Sequence, residues 1–197
     1  MKIGIDIDGV LTNYYEAVID NATKYFYENK IEYKIDQSKY YENEMFNVSD
    51  EDIEHFWNQY LPEYAQKLPA KKFATEVISK LKQENEIYII TARNEEGLPK
   101  ELYGTMKEMV KNWLQCNTIK YDELIFSTGS KLEICKEKNI DIMIEDKEST
   151  INELSKYIHV LCFDAPYNQK AEGKNITRVY SWYDILKNID IIKSNIM

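Results

Sequence analysis

Acidic, hydroxyl and basic side chains recur in this sequence directly after short apolar segments. Two carboxylates, Asp6 and Asp8, stand at the end of the first such segment, immediately before Gly9. Carboxylate oxygens are ligands that Mg²⁺ prefers, and a lysine ammonium neutralises phosphoryl oxygens as a point charge. Hydroxyl groups and turn amides add hydrogen-bond donors, so the set suits a divalent metal ion beside a phosphate group. The other members of the set are Thr91, Ser127-Thr128-Gly129-Ser130-Lys131 and Glu145-Asp146.

The pair Asp6 and Asp8 is the most informative part of this set. Inside a continuous strand, two carboxylates two residues apart would share one face and repel each other. At the end of a strand the chain can turn, and the two carboxylates can then take different roles. The alternative is a pair of solvated acids, but a buried apolar strand seldom carries two acids without a metal ion or a reaction.

These polar residues need an arrangement of strands and helices that brings them together. Short apolar segments alternate with helical patterns after residue 85, which is typical of a parallel sheet covered by helices on both faces. Because the carboxyl ends of parallel strands meet at one edge, we expect the polar residues that follow them to converge there. Strands are predicted over residues 2–7, 86–90, 123–126, 141–144, 159–163 and 177–179, and helices over residues 71–83, 100–115, 131–138, 148–156 and 183–192.

Residues 12–70 differ in composition from the rest of the chain. They carry −7 of the net charge of −9 and 13 of the 25 aromatic residues. Helices are predicted over residues 13–29 and from Ser49 or Asp50 to Tyr64, and Pro62 and Pro69 mark the approach to the next helix. We interpret this segment as a helical cap inserted after the first strand. The chain then divides into a core domain of residues 1–11 and 71–197 and a cap domain of residues 12–70.

Composition excludes several classes of function. The 197 residues are 44% hydrophobic, which predicts a folded core, and the net charge of −9 disfavours nucleic acid as a partner. Three separated cysteines without a Cys-x-x-Cys spacing disfavour a disulfide framework or a zinc site. No apolar run reaches the length of about 20 residues that a membrane helix needs, and acids stand near the N-terminus. We therefore expect a cytoplasmic protein without membrane contact, and the sequence leaves a homodimer open.

Four short motifs resemble those of the haloacid dehalogenase superfamily of phosphohydrolases, in the same order along the chain. They are Asp6-x-Asp8-Gly9-Val10-Leu11-Thr12, Ile89-Ile90-Thr91-Ala92-Arg93, Lys131, and Ile144-Glu145-Asp146. Within the superfamily, the chain is most similar to the 5'(3')-deoxyribonucleotidase group and its bacterial relatives. The resemblance implies an α/β fold of the three-layer Rossmann type, with a parallel sheet and a small helical C1-type cap after the first strand.

The resemblance also implies a role for each motif residue. Asp6 would attack phosphorus and form an aspartyl-phosphate, and Asp8 would protonate the leaving oxygen and then activate water. Mg²⁺ would lie on the Asp6 carboxylate, the Asp8 carbonyl and the fourth-motif acids. That motif is Glu145-Asp146, where the nucleotidase pattern has two aspartates, so the division of ligand roles stays open. The residues expected to hold the phosphoryl group are Gly9, Thr91, Ala92, Arg93 and Lys131.

Two of the candidate binding residues have competing interpretations. Tyr14 occupies the aromatic position that stacks on the nucleobase in related nucleotidases, where a ring can contribute about 1–3 kcal/mol per base. The alternative for Tyr14 is packing between cap and core. Arg93 either contacts the substrate, caps a helix or forms a surface salt bridge. Other aromatic residues of the insert, Phe56 and Trp57 among them, are predicted to pack, and Cys135 is predicted to lie in the core.

The leading functional hypothesis is a Mg²⁺-dependent phosphatase that acts on nucleoside monophosphates, with deoxyribonucleotides preferred. A second hypothesis is a phosphatase for a phosphosugar or another small phosphorylated metabolite, because specificity resides in the cap and loops rather than in the catalytic set. A third is a catalytically silent binding module, which the retention of Asp6, Asp8 and Lys131 disfavours. A panel of phosphate esters separates the first two hypotheses.

Overall fold

A six-stranded parallel sheet forms the centre of the computed structural model, which describes residues 1–196. Neighbouring strands are parallel throughout, as predicted. The strand order reverses between β1 and β4, and a crevice for a ligand forms at such a reversal in open α/β sheets. The strands are β1 (Lys2–Ile5), β2 (Glu86–Thr91), β3 (Glu123–Phe126), β4 (Ile142–Glu145), β5 (His159–Phe163) and β6 (Ile176–Val179), in the order β3-β2-β1-β4-β5-β6.

Helices cover both faces of the sheet, which gives the expected three layers. Along β2, Ile87 and Ile89 join one hydrophobic cluster, whereas Tyr88 and Ile90 join the other, as the two-residue period of a strand requires. The helices on the first face are α4 (Ala74–Leu81), α5 (Met106–Cys116) and α8 (Trp182–Ile196), and those on the second are α6 (Lys131–Lys138) and α7 (Glu148–Leu154). Residue 197, the last of the predicted core range, lies outside the described residues.

The segment between β1 and α4 contains three helices with a hydrophobic cluster of their own. They are α1 (Tyr14–Asn29), α2 (Glu42–Phe46) and α3 (Asp50–Lys67), and their shared cluster includes Val18, Phe26, Phe46 and Phe56. The two chain segments that connect these helices to the sheet run side by side, with an antiparallel bridge between Thr12 and Ala70. The insert therefore leaves and rejoins the sheet at one place.

Several predicted elements are wrong in detail. The helix expected over residues 100–115 is a 3-10 helix at Lys100–Leu102 followed by α5, because the chain turns between them at Gly104, where φ is 89°. α3 contains Pro62 and is started, as predicted, at Ser49, in a capping box with Asp52. It ends at Lys67, three residues beyond the predicted end at Tyr64. No element was predicted where α2 lies, since five residues are too few to show a helical period.

None of the helices within residues 1–196 is long and apolar enough to cross a membrane.

Candidate active site

The turn after β1 gives Asp6 and Asp8 different partners. β1 is two residues shorter than predicted, so both acids follow the strand. Two successive backbone amides donate to the Ile7 carbonyl, at 2.8 and 3.1 Å, and close the turn. The Asp6 carboxylate then pairs with Lys131, whereas that of Asp8 pairs with Arg93. This separation is what two distinct roles for the acids require.

Lys131 is the cation among the buried acids. It is the first residue of α6, where the Ser130 hydroxyl accepts a hydrogen bond from the Leu132 amide at 3.0 Å and caps the helix. The ammonium Nζ lies 2.7 Å from Asp6 Oδ1 and 2.7 Å from Glu145 Oε2. Burial lowers the pKa of Lys131, but the two carboxylates outweigh burial and hold its pKa above the ordinary value. Lys131 therefore stays charged at the point where a phosphoryl group would bind.

Asp6, Glu145 and Asp146 form a cluster of carboxylates that fits a divalent cation. One oxygen from each lies within 4.8 Å of the others, and all three residues are buried. Burial raises the pKa of Asp6 to about 7, and burial with the neighbouring acids raises the pKa of Asp146 well above its ordinary value. The single positive charge of Lys131 does not balance the three carboxylates of this cluster. A hard cation such as Mg²⁺, which takes oxygen ligands, would neutralise the remaining negative charge.

Asp146 is positioned by two residues of the loop after β5. Neither residue was predicted from the sequence to belong to the site. The Tyr167 hydroxyl donates to Asp146 Oδ2, and the Asn168 side-chain amide donates to the Asp146 carbonyl at 2.7 Å. The same amide donates to the Phe163 carbonyl at 2.8 Å, which ties the end of β5 to the fourth motif. The one signal that could have suggested these residues is their place just beyond the carboxyl end of a strand.

Arg93 holds the Asp8 carboxylate from the loop after β2. Its Nε and Nη2 donate to Asp8 Oδ2 and Oδ1, at 3.0 and 2.7 Å, in a bidentate ion pair. The Tyr64 hydroxyl, from α3, also donates to Asp8 Oδ1. Burial works to raise the pKa of Asp8, but Arg93 outweighs burial and brings its pKa below the ordinary value. Because Arg93 is buried and its side chain is bonded to Asp8, the helix-cap and surface-salt-bridge interpretations are wrong.

The remaining second-motif residues lie at the same edge. Thr91 ends β2 and is fully buried, and its Oγ1 accepts a hydrogen bond from the Arg93 amide at 3.2 Å. The Thr91 hydroxyl hydrogen can still be donated to another acceptor. Ala92 is exposed, and a methyl side chain leaves only its backbone groups to bind an anion.

Gly9 allows the turn to approach Asp146, and we expect alanine there to damage the site. Its φ is 73°, and an added Cβ would overlap the Asp146 carboxylate and lie 3.0 Å from the Tyr167 hydroxyl. Displacing a reacting group by about 1 Å can cost about 10²-fold in rate, so Gly9→Ala should lower kcat by roughly that factor. Phosphate release at saturating substrate and Mg²⁺ measures it.

Gly104→Ala is the matched control for this prediction. Gly104 also has a positive φ, of 89°, but an added Cβ would meet no atom within 4 Å. Gly104→Ala should therefore lose about 1 kcal/mol of stability through backbone strain, and its kcat should be unchanged. Equal losses of kcat in the two variants would contradict the overlap with Asp146.

Aromatic residues and one carboxylate of the insert lie beside Tyr64, which contacts Asp8. The Tyr14 ring lies 6.3 Å from that of Trp57, nearly parallel at 15°, and meets Tyr64 edge-on at 5.8 Å. The Tyr14 hydroxyl donates to Glu42 Oε1, so Tyr14 packs within the insert, and its stacking on a base stays a prediction. Glu42 was missed because a single glutamate among twelve acids of the insert carries no pattern.

Comparisons with known proteins agree with this geometry. The family model for "5' nucleotidase, deoxy (Pyrimidine), cytosolic type C protein" matches residues 1–195. A nucleotidase of Clostridium acetobutylicum is 32% identical over 192 residues, covering 96% of this chain and 94% of that protein. A haloacid dehalogenase-like family hydrolase of Streptococcus pneumoniae has a TM-score of 0.68 at 15% identity, and the match covers 95% of this chain and 97% of that one. A predicted phosphatase of Clostridium acetobutylicum has a TM-score of 0.66 at 16% identity, and the match covers 96% of this chain and 98% of that one. The two structures share the fold with this chain.

Proposed function

Since the chain belongs to the 5' nucleotidase, deoxy (pyrimidine), cytosolic type C family, we propose that it hydrolyses the phosphate monoester of nucleoside monophosphates, with deoxyribonucleotides preferred. The resemblance to haloacid dehalogenase phosphohydrolases is confirmed, and the chain is a phosphoric monoester hydrolase. The observation that carries the proposal is the buried Asp6 carboxylate, held 2.7 Å from Lys131 inside the cluster of acids. This arrangement suits a nucleophile that must approach an anionic phosphate.

The chemistry we propose has two steps. The Asp6 carboxylate attacks phosphorus, the bond from phosphorus to the ester oxygen breaks, and Asp8 gives that oxygen a proton as the nucleoside leaves. Asp8 then takes a proton from the water that attacks the aspartyl-phosphate, which releases inorganic phosphate and restores Asp6. Lys131 and Thr91 hold the phosphoryl oxygens through both steps. The ion pair with Arg93 favours the ionised Asp8 that the second step needs. For the first step Asp8 takes up a proton as the substrate binds, and the monoanionic form of the substrate's phosphate group supplies it.

The other parts of the proposal concern the metal and the insert. Asp6, Glu145 and Asp146 would hold Mg²⁺, with the Asp8 carbonyl, and the cation would neutralise charge on the transferring group. We further propose that residues 12–70 act as a cap over a core of residues 1–11 and 71–197. The bridge of Thr12 to Ala70 would be the hinge, and cap opening would admit the substrate. A cytoplasmic location and a homodimer stay predictions.

A phosphate-ester panel with and without chelator tests the proposed function. Purified protein should release phosphate from dUMP and dTMP in the presence of Mg²⁺. EDTA should remove this activity and added Mg²⁺ should restore it, because the acids need their cation. A malachite green assay measures the inorganic phosphate released from each ester. Uniformly slow release from nucleotides beside rapid release from one sugar phosphate would replace this proposal with the phosphosugar alternative.

A further inference from the structure

The insert contacts the surroundings of the fourth motif through Tyr40 and Tyr41. The Tyr40 ring meets that of Tyr167 edge-on, with centroids 5.4 Å apart, and the Tyr167 hydroxyl donates to Asp146. The Lys147 ammonium lies 4.5 Å from the centre of the Tyr40 ring and 5.1 Å from that of Tyr41. These contacts join the insert to the fourth motif. Glu42 follows these two tyrosines as the first residue of α2.

A line of side chains connects Glu42 to the proposed acid-base residue. Glu42 accepts a hydrogen bond from Tyr14, the Tyr14 ring packs edge-on against Tyr64 at 5.8 Å, and the Tyr64 hydroxyl donates to Asp8. Asp8 marks the position of the leaving oxygen in the proposed function. Glu42 thus lies on the side of Asp8 that belongs to the insert, where the rest of the leaving group must extend.

We infer that Glu42 is a specificity-determining residue whose carboxylate accepts a hydrogen bond from a hydroxyl or N–H group of the leaving nucleoside. The inference rests on the proposed function and adds a residue that selects the substrate. A carboxylate is an acceptor with about four lone-pair positions. Tyr14, Trp57 and the backbone amide of Glu42 donate to it, which leaves one position for a donor on the substrate. Glu42 is half-buried, so its carboxylate is shielded on one side and open to a leaving group on the other.

A site with a polar group shielded from water disfavours substrates that cannot pair with it. A leaving group with a hydroxyl or an N–H group near Glu42 can donate to the carboxylate. An aryl phosphate without donors leaves the remaining acceptor position unfilled, and a second phosphate group would be repelled by the carboxylate. The insert would in this way favour nucleoside monophosphates over other phosphate esters. The contact would come from the insert and not from the core.

The test compares Glu42→Gln with the wild type on three esters: dTMP, deoxyribose 5-phosphate, and p-nitrophenyl phosphate, which has no donor. The measured quantity is kcat/KM for each natural ester divided by that for p-nitrophenyl phosphate. We expect this ratio to fall about 10-fold for dTMP, because the neutral amide of glutamine accepts a weaker hydrogen bond than the charged carboxylate does. A parallel fall for deoxyribose 5-phosphate assigns the contact to the sugar hydroxyl, and a fall for dTMP alone assigns it to the base.

Glu44→Gln is the matched control, because Glu44 lies on the same helix and is exposed. It should leave both ratios unchanged. If Glu42→Gln does not fold, as circular dichroism would reveal, Glu42→Asp carries the same test, since its carboxylate is one methylene further from the substrate. An unchanged ratio in the folded variant overturns the inference alone. A wild-type chain that releases no phosphate from dTMP overturns the proposed function and the inference together.

Discussion

Replacing Asp6 by asparagine is expected to abolish phosphate release, with a fall in kcat of at least about 10⁴-fold. The amide has nearly the shape of the carboxylate and can still accept a hydrogen bond from Lys131, which lies 2.7 Å from Asp6 Oδ1. It cannot form the aspartyl-phosphate, however, because an amide oxygen is a very weak nucleophile. Phosphate release from dTMP at saturating Mg²⁺ measures the loss.

Two controls separate the loss of a nucleophile from the loss of a fold. Asp20→Asn changes an exposed aspartate of α1 and should leave kcat unchanged. Beryllium fluoride, an analogue of the phosphoryl group, should form an adduct with the wild type and none with Asp6→Asn, as fluorine NMR would record. Activity that survives in Asp6→Asn would assign the attack on phosphorus to another group.

The sheet could be predicted from sequence because its central strands are buried on both faces and are therefore short apolar runs. The buried strand β5 has the bounds that its run predicts, and so has the half-buried edge strand β3. The catalytic edge follows from the same pattern, since Asp6, Thr91 and Glu145 stand where such runs end. The four motifs converge because parallel strands carry their carboxyl ends to one place.

The partners of the motif residues could not be predicted, because they are far away in sequence. Arg93 lies in a loop without a period, and only the fold reveals that it binds Asp8, 85 positions earlier. Tyr64, Tyr167 and Glu42 look like ordinary residues of an aromatic, acidic chain in the sequence alone. Their contacts join segments that are distant in sequence, and local propensity contains no information about such contacts.

Lys131→Met is expected to reduce the free energy of unfolding by about 3–5 kcal/mol in the metal-free protein. Methionine keeps most of the volume of the side chain but removes the ammonium between Asp6 and Glu145. Two buried carboxylates then lose their counter-charge, and the pKa of Asp6, which burial already raises to about 7, should rise further. Urea unfolding in EDTA measures the loss of stability.

Mg²⁺ should restore part of that stability, because a divalent cation can replace the missing positive charge among Asp6, Glu145 and Asp146. The increase in stability on adding Mg²⁺ should accordingly be larger for Lys131→Met than for the wild type. Lys138→Met is the control from the same helix, since Lys138 pairs with Glu123 at 2.7 Å near the surface and should cost at most about 1 kcal/mol. Equal losses in the two variants, or no added benefit from Mg²⁺, would mean that Lys131 is not the charge that balances the acids. Packing would then stabilise the metal-free site, and Mg²⁺ would not replace the positive charge of Lys131 when it binds.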